Sequence, residues 1–86
     1  MENTSAKRVI DAVADKLLKY MGEQGLTQYK LAKLSNLPFG TVKTIMQRRT
    51  RGIELKTLIL LANGLGVTPS EFINDCSFLA ENLILD

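Results

Sequence analysis

The chain has 86 residues, below the roughly 100 to 200 of a typical domain, so it holds one domain or a domain with a short tail. A chain this small buries only about 60% of the surface its unfolded form exposes, which leaves no room for a second core or a deep substrate cavity and puts function on the outside. It has no His, no Trp and one Cys, and a net charge of +2, which excludes Ser-His-Asp and Cys-His catalysis, a four-ligand zinc site and an internal disulfide.

The N-terminal stretch Met1 to Arg8 is polar and precedes no signal-like apolar core, and no apolar run approaches the roughly 18 residues that span a bilayer. A soluble, cytoplasmic protein is expected. Val9, Val13, Leu17 and Met21, flanked by Ile10, Ala14 and Leu18, predict an amphipathic first helix that stops at Gly25. Thr27 has the hydroxyl to cap a second helix over about 27–35, whose buried stripe is Leu31, Ala32 and Leu34. Lys30 stands where a capping box would want Glu or Gln, so that cap is half made.

Pro38 interrupts the pattern and suits only a helix start, which predicts a third helix over about 38–47 with Val42, Ile45 and Met46 facing inward. A basic loop follows, Arg48-Arg49-Thr50-Arg51-Gly52. Leu58, Leu61, Ala62 and Leu65 then mark a fourth helix ending at Gly66. Thr68-Pro69-Ser70-Glu71 is a strong start signal for a fifth, anchored by Phe72 and Ile73. Cys76 reads as a small buried hydrophobe or an incidental thiol. No stretch alternates with period two for long enough to predict a strand.

The charge is unevenly placed. Gln24 to Ile53 holds six basic residues and no acidic one, whereas the rest holds five basic and nine acidic residues. Such asymmetry reads as a basic working face opposed by an acidic end. Two short helices joined by about four residues form a helix-turn-helix, in which the third helix of this chain is the one offered to DNA. At about 100° per residue, Gly40, Lys43, Thr44 and Gln47 fall opposite Val42, Ile45 and Met46, and Phe39 sits at the margin between core and groove.

Leu26-Thr27-Gln28-Tyr29-Lys30-Leu31-Ala32, Leu37-Pro38 with Thr41-Val42 and Ile45, Thr57-Leu58, Leu61-Ala62 and Leu65-Gly66-Val67-Thr68-Pro69-Ser70-Glu71-Phe72 resemble the Cro/cI-type, or XRE, helix-turn-helix family, which includes the lambdoid phage repressors. The resemblance runs from about Val9 to Ile73. It implies an all-α, compact five-helix lambda repressor-like domain over residues 1–75, with a short apolar extension over 76–86. It also implies a transcriptional regulator, a repressor in expectation, that binds double-stranded operator DNA as a homodimer through the major groove.

Carried onto this chain, the resemblance makes Gln28 a phosphate contact at the start of the second helix. It puts Phe39, Gly40, Thr41, Lys43 and Thr44 at positions that reach base edges or nearby phosphates. Phe39 and Gly40 depart from the family's polar habit, since neither can make a bidentate contact to a base; Phe39 can touch a thymine methyl and Gly40 can admit close backbone approach. Gln47 joins them on the outward face. Where the family often has a Gly-Lys turn, Arg48, Arg49 and Arg51 are expected on phosphates, because guanidinium binds phosphate with fixed fork geometry. Lys7 and Arg8 can extend the basic surface as an arm.

In the tail, Leu79 and Leu83 share a helical stripe with Phe78 and Leu85 close to it. Either this segment folds back on the first helix or it pairs with a second copy, and dimerisation is the favoured expectation. The rival function is a helix-turn-helix protein-interaction module, antitoxin-like or an adaptor, with little specific DNA binding. An enzyme is not expected, because no acid, base and nucleophile set can be assembled, and no metal, cofactor or small-molecule substrate is implied.

Overall fold

The computed structural model describes residues 7–85. Five α-helices follow one another: α1 (Val9–Gln24), α2 (Gln28–Ser35), α3 (Phe39–Met46), α4 (Leu55–Leu65) and α5 (Pro69–Ile73). Each boundary has a local cause. Gly25 closes α1 at φ 66° and Gly66 closes α4 at φ 78°, both in the left-handed region that glycine enters without penalty. Asn36 closes α2 at φ 57°, the alternative that a short polar side chain tolerates. The Thr27 hydroxyl accepts the Lys30 amide at 3.1 Å, one half of a capping box. At Thr68 the box is complete: its hydroxyl accepts the Glu71 amide at 3.0 Å, and its own amide donates to the Glu71 carboxylate at 2.9 Å.

The core is where these helices converge. Ile10, Val13, Leu17, Leu31, Val42, Ile45, Leu61, Leu65 and Phe72 are all buried. Each large member stabilises the fold by about 1.5–3 kcal/mol through burial. Phe72 stacks on Tyr20 at a centroid distance of 5.9 Å and meets Phe78 at 6.2 Å, which ties α1, α5 and the tail into one aromatic run. On the same side, the nearly buried Lys16 donates to Asp75 at 2.9 Å.

Three predicted core residues lie outside instead. Leu34, Ile73 and Leu18 are exposed, and Ser35 is buried in the place expected of Leu34. On α2 the stripe is Leu31, Ala32 and Ser35, an arc that leaves Leu34 at its edge. Ser35 is admitted because Gly64 of α4 lies against it: a Cβ there would collide with the Ser35 hydroxyl and lie 2.8 Å from its backbone nitrogen. Short α5 buries one of two adjacent side chains, and Phe72 takes the place.

The tail does not follow the helical stripe of Leu79 and Leu83. Two 3-10 turns, Cys76–Phe78 and Ala80–Asn82, lead to β2 (Leu83–Ile84), which pairs in parallel with β1 (Lys7–Arg8) in the register Lys7 with Leu83 and Arg8 with Ile84. Asp75 starts the first turn by accepting the Ser77 amide at 2.9 Å. Two residues per strand are too few for an alternating pattern, so periodicity gave no sign of them. Cys76 is exposed, a thiol on the surface rather than a core residue.

Candidate nucleic-acid interface

The surface around α3 is built by the hinge between α2 and α3. Leu37 hydrogen-bonds back to the Ala32 carbonyl at 3.0 Å, and Pro38, extended at ψ 142°, turns the chain so that Thr41 starts a new ladder on the Pro38 carbonyl at 3.0 Å. Val42 and Ile45 are buried and Met46 packs against the core, so the opposite side of α3 faces out. Gly40, Lys43 and Gln47 are exposed there, and Thr41 and Thr44 are half-buried at its edge. Gln28, the first residue of α2, is half-exposed beside it.

Phe39 resolves outward. It is 43% exposed and its ring lies 6.2 Å from that of Tyr29, itself 60% exposed, while the Lys33 ammonium sits 5.6 Å from the Tyr29 centroid. Sequence reasoning passed over Tyr29 and Lys33; their i, i+4 spacing on α2 is the signal that would have paired them. Between α3, the loop that follows and the start of α4 lies an open cleft of about 570 Å³, lined by Gly40, Thr41 and Thr44 of α3, Thr50, Gly52 and Glu54 of the loop and Thr57 of α4.

The arginines of the loop part company. Arg49 and Arg51 are exposed, and with Lys30 and Lys43 they meet no carboxylate among the described residues. Arg48 points the other way, a correction to its expected place on a phosphate: it donates to Asp11 at 3.1 Å and to Asp15 at 2.6 Å on α1, and its backbone sits at φ 61°. Its guanidinium is spent inside the chain.

Lys7 and Arg8, expected as a free arm, join the same network. Lys7 donates to Asp15 at 2.8 Å, and Arg8 to Asp11 at 3.4 Å and to the Arg48 carbonyl at 3.2 Å. The Lys7 hydrogen bond, with help from Arg48, outweighs partial burial and holds the Asp15 carboxyl below its ordinary value. Partial burial pushes Asp11 up, but the hydrogen bonds from Arg48 and Arg8 together leave it lowered. Arg48 is raised in turn by Asp15 and Asp11.

In the tail, Phe78 and Leu83 are half-buried within the chain, the first on the core and the second in the strand pair, so neither offers the free apolar face expected of it. Leu79 and Leu85 are exposed, and Ile84, which the helical stripe had left out, is exposed with them.

A five-helix fold with a helix-turn-helix at α2–α3, whose third helix faces outward and carries Lys43, is the architecture of a helix-turn-helix DNA-binding domain. The family model for the Cro/C1-type HTH DNA-binding domain matches residues 16–75, and the chain belongs to that family. It is a DNA-binding regulator of that type. Comparison with curated proteins and with solved structures finds no match. No helix among the described residues is long and apolar enough to cross a membrane.

Proposed function

We propose that the chain is a sequence-specific transcriptional regulator, a repressor, that places α3 in the major groove of operator DNA. The observation that carries this reading is the set of exposed cations on α2, α3 and the loop after it, Lys30, Lys43, Arg49 and Arg51, none of which is paired with a carboxylate among the described residues, although Glu54 also faces the cleft beside α3. In this reading Gln28, Lys43, Arg49 and Arg51 fix register on phosphates. Thr44, Gln47, Thr41 and Phe39 face base edges, and Gly40 lets the helix backbone come close. Residues 1–75 form the DNA-binding unit and 76–86 an extension to it. The site is cytoplasmic and non-catalytic.

So few polar readers give modest discrimination in one domain, and a two-fold dimer that reads half-sites about 34–36 Å apart multiplies it. The exposed Leu79, Ile84 and Leu85 support a second copy docking on the tail. Fluorescence-anisotropy titration against upstream DNA and a scrambled duplex, at two salt concentrations, tests the reading. Binding that weakens steeply with salt and still prefers one sequence supports it, because phosphate neutralisation releases counterions. Thr44→Ala should lower discrimination between sites, and Arg49→Ala should weaken binding to all sites alike.

The exposed Tyr29–Phe39 pair favours a second reading, a module that docks on another protein. Absence of DNA binding even at low salt would select it.

A further inference from the structure

The leading end of α3 carries a phenyl ring where a hydrogen-bonding side chain would normally read a base. Phe39 has no polar side-chain atom and Gly40 beside it has no side chain, so the first two residues of α3 offer a base no side-chain hydrogen bond. Yet Phe39 is not a loose surface residue. Tyr29 lies against its ring at a tilt of 56°, and the Lys33 ammonium sits 5.6 Å from the Tyr29 centroid, so side chains of α2 flank the ring on α3. Such support lowers the entropy lost when the ring is used.

Within the major groove the edges of the bases are polar with one exception, the methyl group at C5 of thymine, which 5-methylcytosine shares. A supported apolar ring on the helix that enters the groove has that group as its one apolar counterpart. We infer that Phe39, positioned by Tyr29 and Lys33, reads a pyrimidine 5-methyl group and makes its presence a determinant of site choice. This inference rests on the major-groove reading of α3 proposed above. Phe39 is the reading residue and Tyr29 a positioning residue.

The probe is a set of duplexes enriched by the full chain from a pool with a randomised core. Their thymines are replaced one at a time by deoxyuridine, which removes the methyl and nothing else. Losing one buried methyl should weaken binding about three- to fivefold at a thymine facing Phe39, and have little effect elsewhere. Phe39→Ala should abolish that sensitivity, Phe39→Leu should keep part of it, and Tyr29→Ala should reduce it while leaving the salt dependence unchanged. Circular dichroism confirms that each variant folds. Exchanging cytosine for 5-methylcytosine at the same position separates the two sources: a gain there supports a general 5-methyl reader, and no gain supports one confined to thymine. Enriched duplexes that bind tightly but tolerate deoxyuridine everywhere, or a Phe39→Ala variant as sensitive as the parent, would overturn the inference and leave the regulator reading standing. A pool that yields no binder at low salt removes both.

Discussion

Replacing Arg48 by alanine removes two ion pairs, at 3.1 Å to Asp11 and 2.6 Å to Asp15. The three side chains keep between 26% and 39% of their exposure, so solvent screens both pairs. Each then contributes about 0.5–1 kcal/mol, at the upper end for a surface pair, and the two together about 1–2 kcal/mol. The backbone adds a second effect. Arg48 is held at φ 61°, where a residue with a Cβ pays about 1–2 kcal/mol and glycine pays almost nothing. Arg48→Ala therefore loses the pairs and keeps the strain, and should destabilise by about 1–2 kcal/mol. Arg48→Gly loses the pairs but sheds the strain, and should stay within about 1 kcal/mol of the parent. Urea denaturation read by circular dichroism resolves the two, and each 1 kcal/mol moves the melting temperature by about 4–8 °C in a domain this small. The slope of log affinity against log salt supplies the functional half: Arg49→Ala should reduce it by about one and Arg48→Ala should not. Equal destabilisation by alanine and glycine would refute the backbone reasoning. A stable Arg48→Ala variant with a reduced salt slope would return Arg48 to the phosphates.

Among the described residues three carboxyls are lowered from 3.8 in the fold, so acid should destabilise the protein through them. Asp75 is held down by the Ser77 amide and then by Lys16, Asp15 by Lys7 and Arg48, and Asp11 by Arg48 and Arg8 against its partial burial. A group lowered in the folded state contributes stability that is present above its unfolded value and lost as pH falls through its folded one. The urea midpoint should thus be flat from pH 7 to about 5 and fall below about pH 4, and Asp75→Asn should lower the plateau and flatten that fall. Gly64→Ala should cost about 1–3 kcal/mol by overpacking α2 against α4, and adding Ser35→Ala should not restore it, because the Ser35 backbone nitrogen is itself 2.8 Å from the new Cβ. Ser35→Ala alone should be close to neutral in urea melts, since that buried hydroxyl has no partner among the described residues to lose. Leu85→Lys should shift sedimentation equilibrium towards monomer if the tail joins two copies, and an unchanged mass distribution would move the interface elsewhere.

Helix ends and the face of α3 were legible because each depends on one or two neighbouring residues. Gly25, Gly66, Thr27 and the Thr68–Glu71 pair act locally, and a 3.6-residue period fixed Val42 and Ile45 inside and Lys43 and Gln47 outside. What escaped depends on residues far apart in the chain. Ser35 takes a core position from Leu34 only because Gly64, 29 positions later, lacks a Cβ. Arg48 and its neighbour Arg49 are chemically identical on paper, and only the left-handed turn at Arg48 aims one at α1 and the other at solvent. The tail failed for a related reason: a helical stripe was present in the letters, but Asp75 captures the Ser77 amide and starts a 3-10 turn instead.

The acidic residues of α1 explain why a basic face can exist beside them. Asp11 and Asp15 lie next to the loop that carries Arg49 and Arg51, and two bare carboxylates there would repel the phosphates that the proposed reading places on Arg49 and Arg51. Lys7, Arg8 and Arg48 surround them, three cations on two carboxylates, so the patch adjoining that loop is left with a slight positive excess. The same contacts fasten β1 to the loop, through Arg8 on the Arg48 carbonyl, and β1 is in turn paired with the tail. Charge that counted towards DNA in the sequence is thus partly used to hold the surface in shape, through the contacts of Arg8 and Arg48 that tie α1 and β1 to the turn after α3.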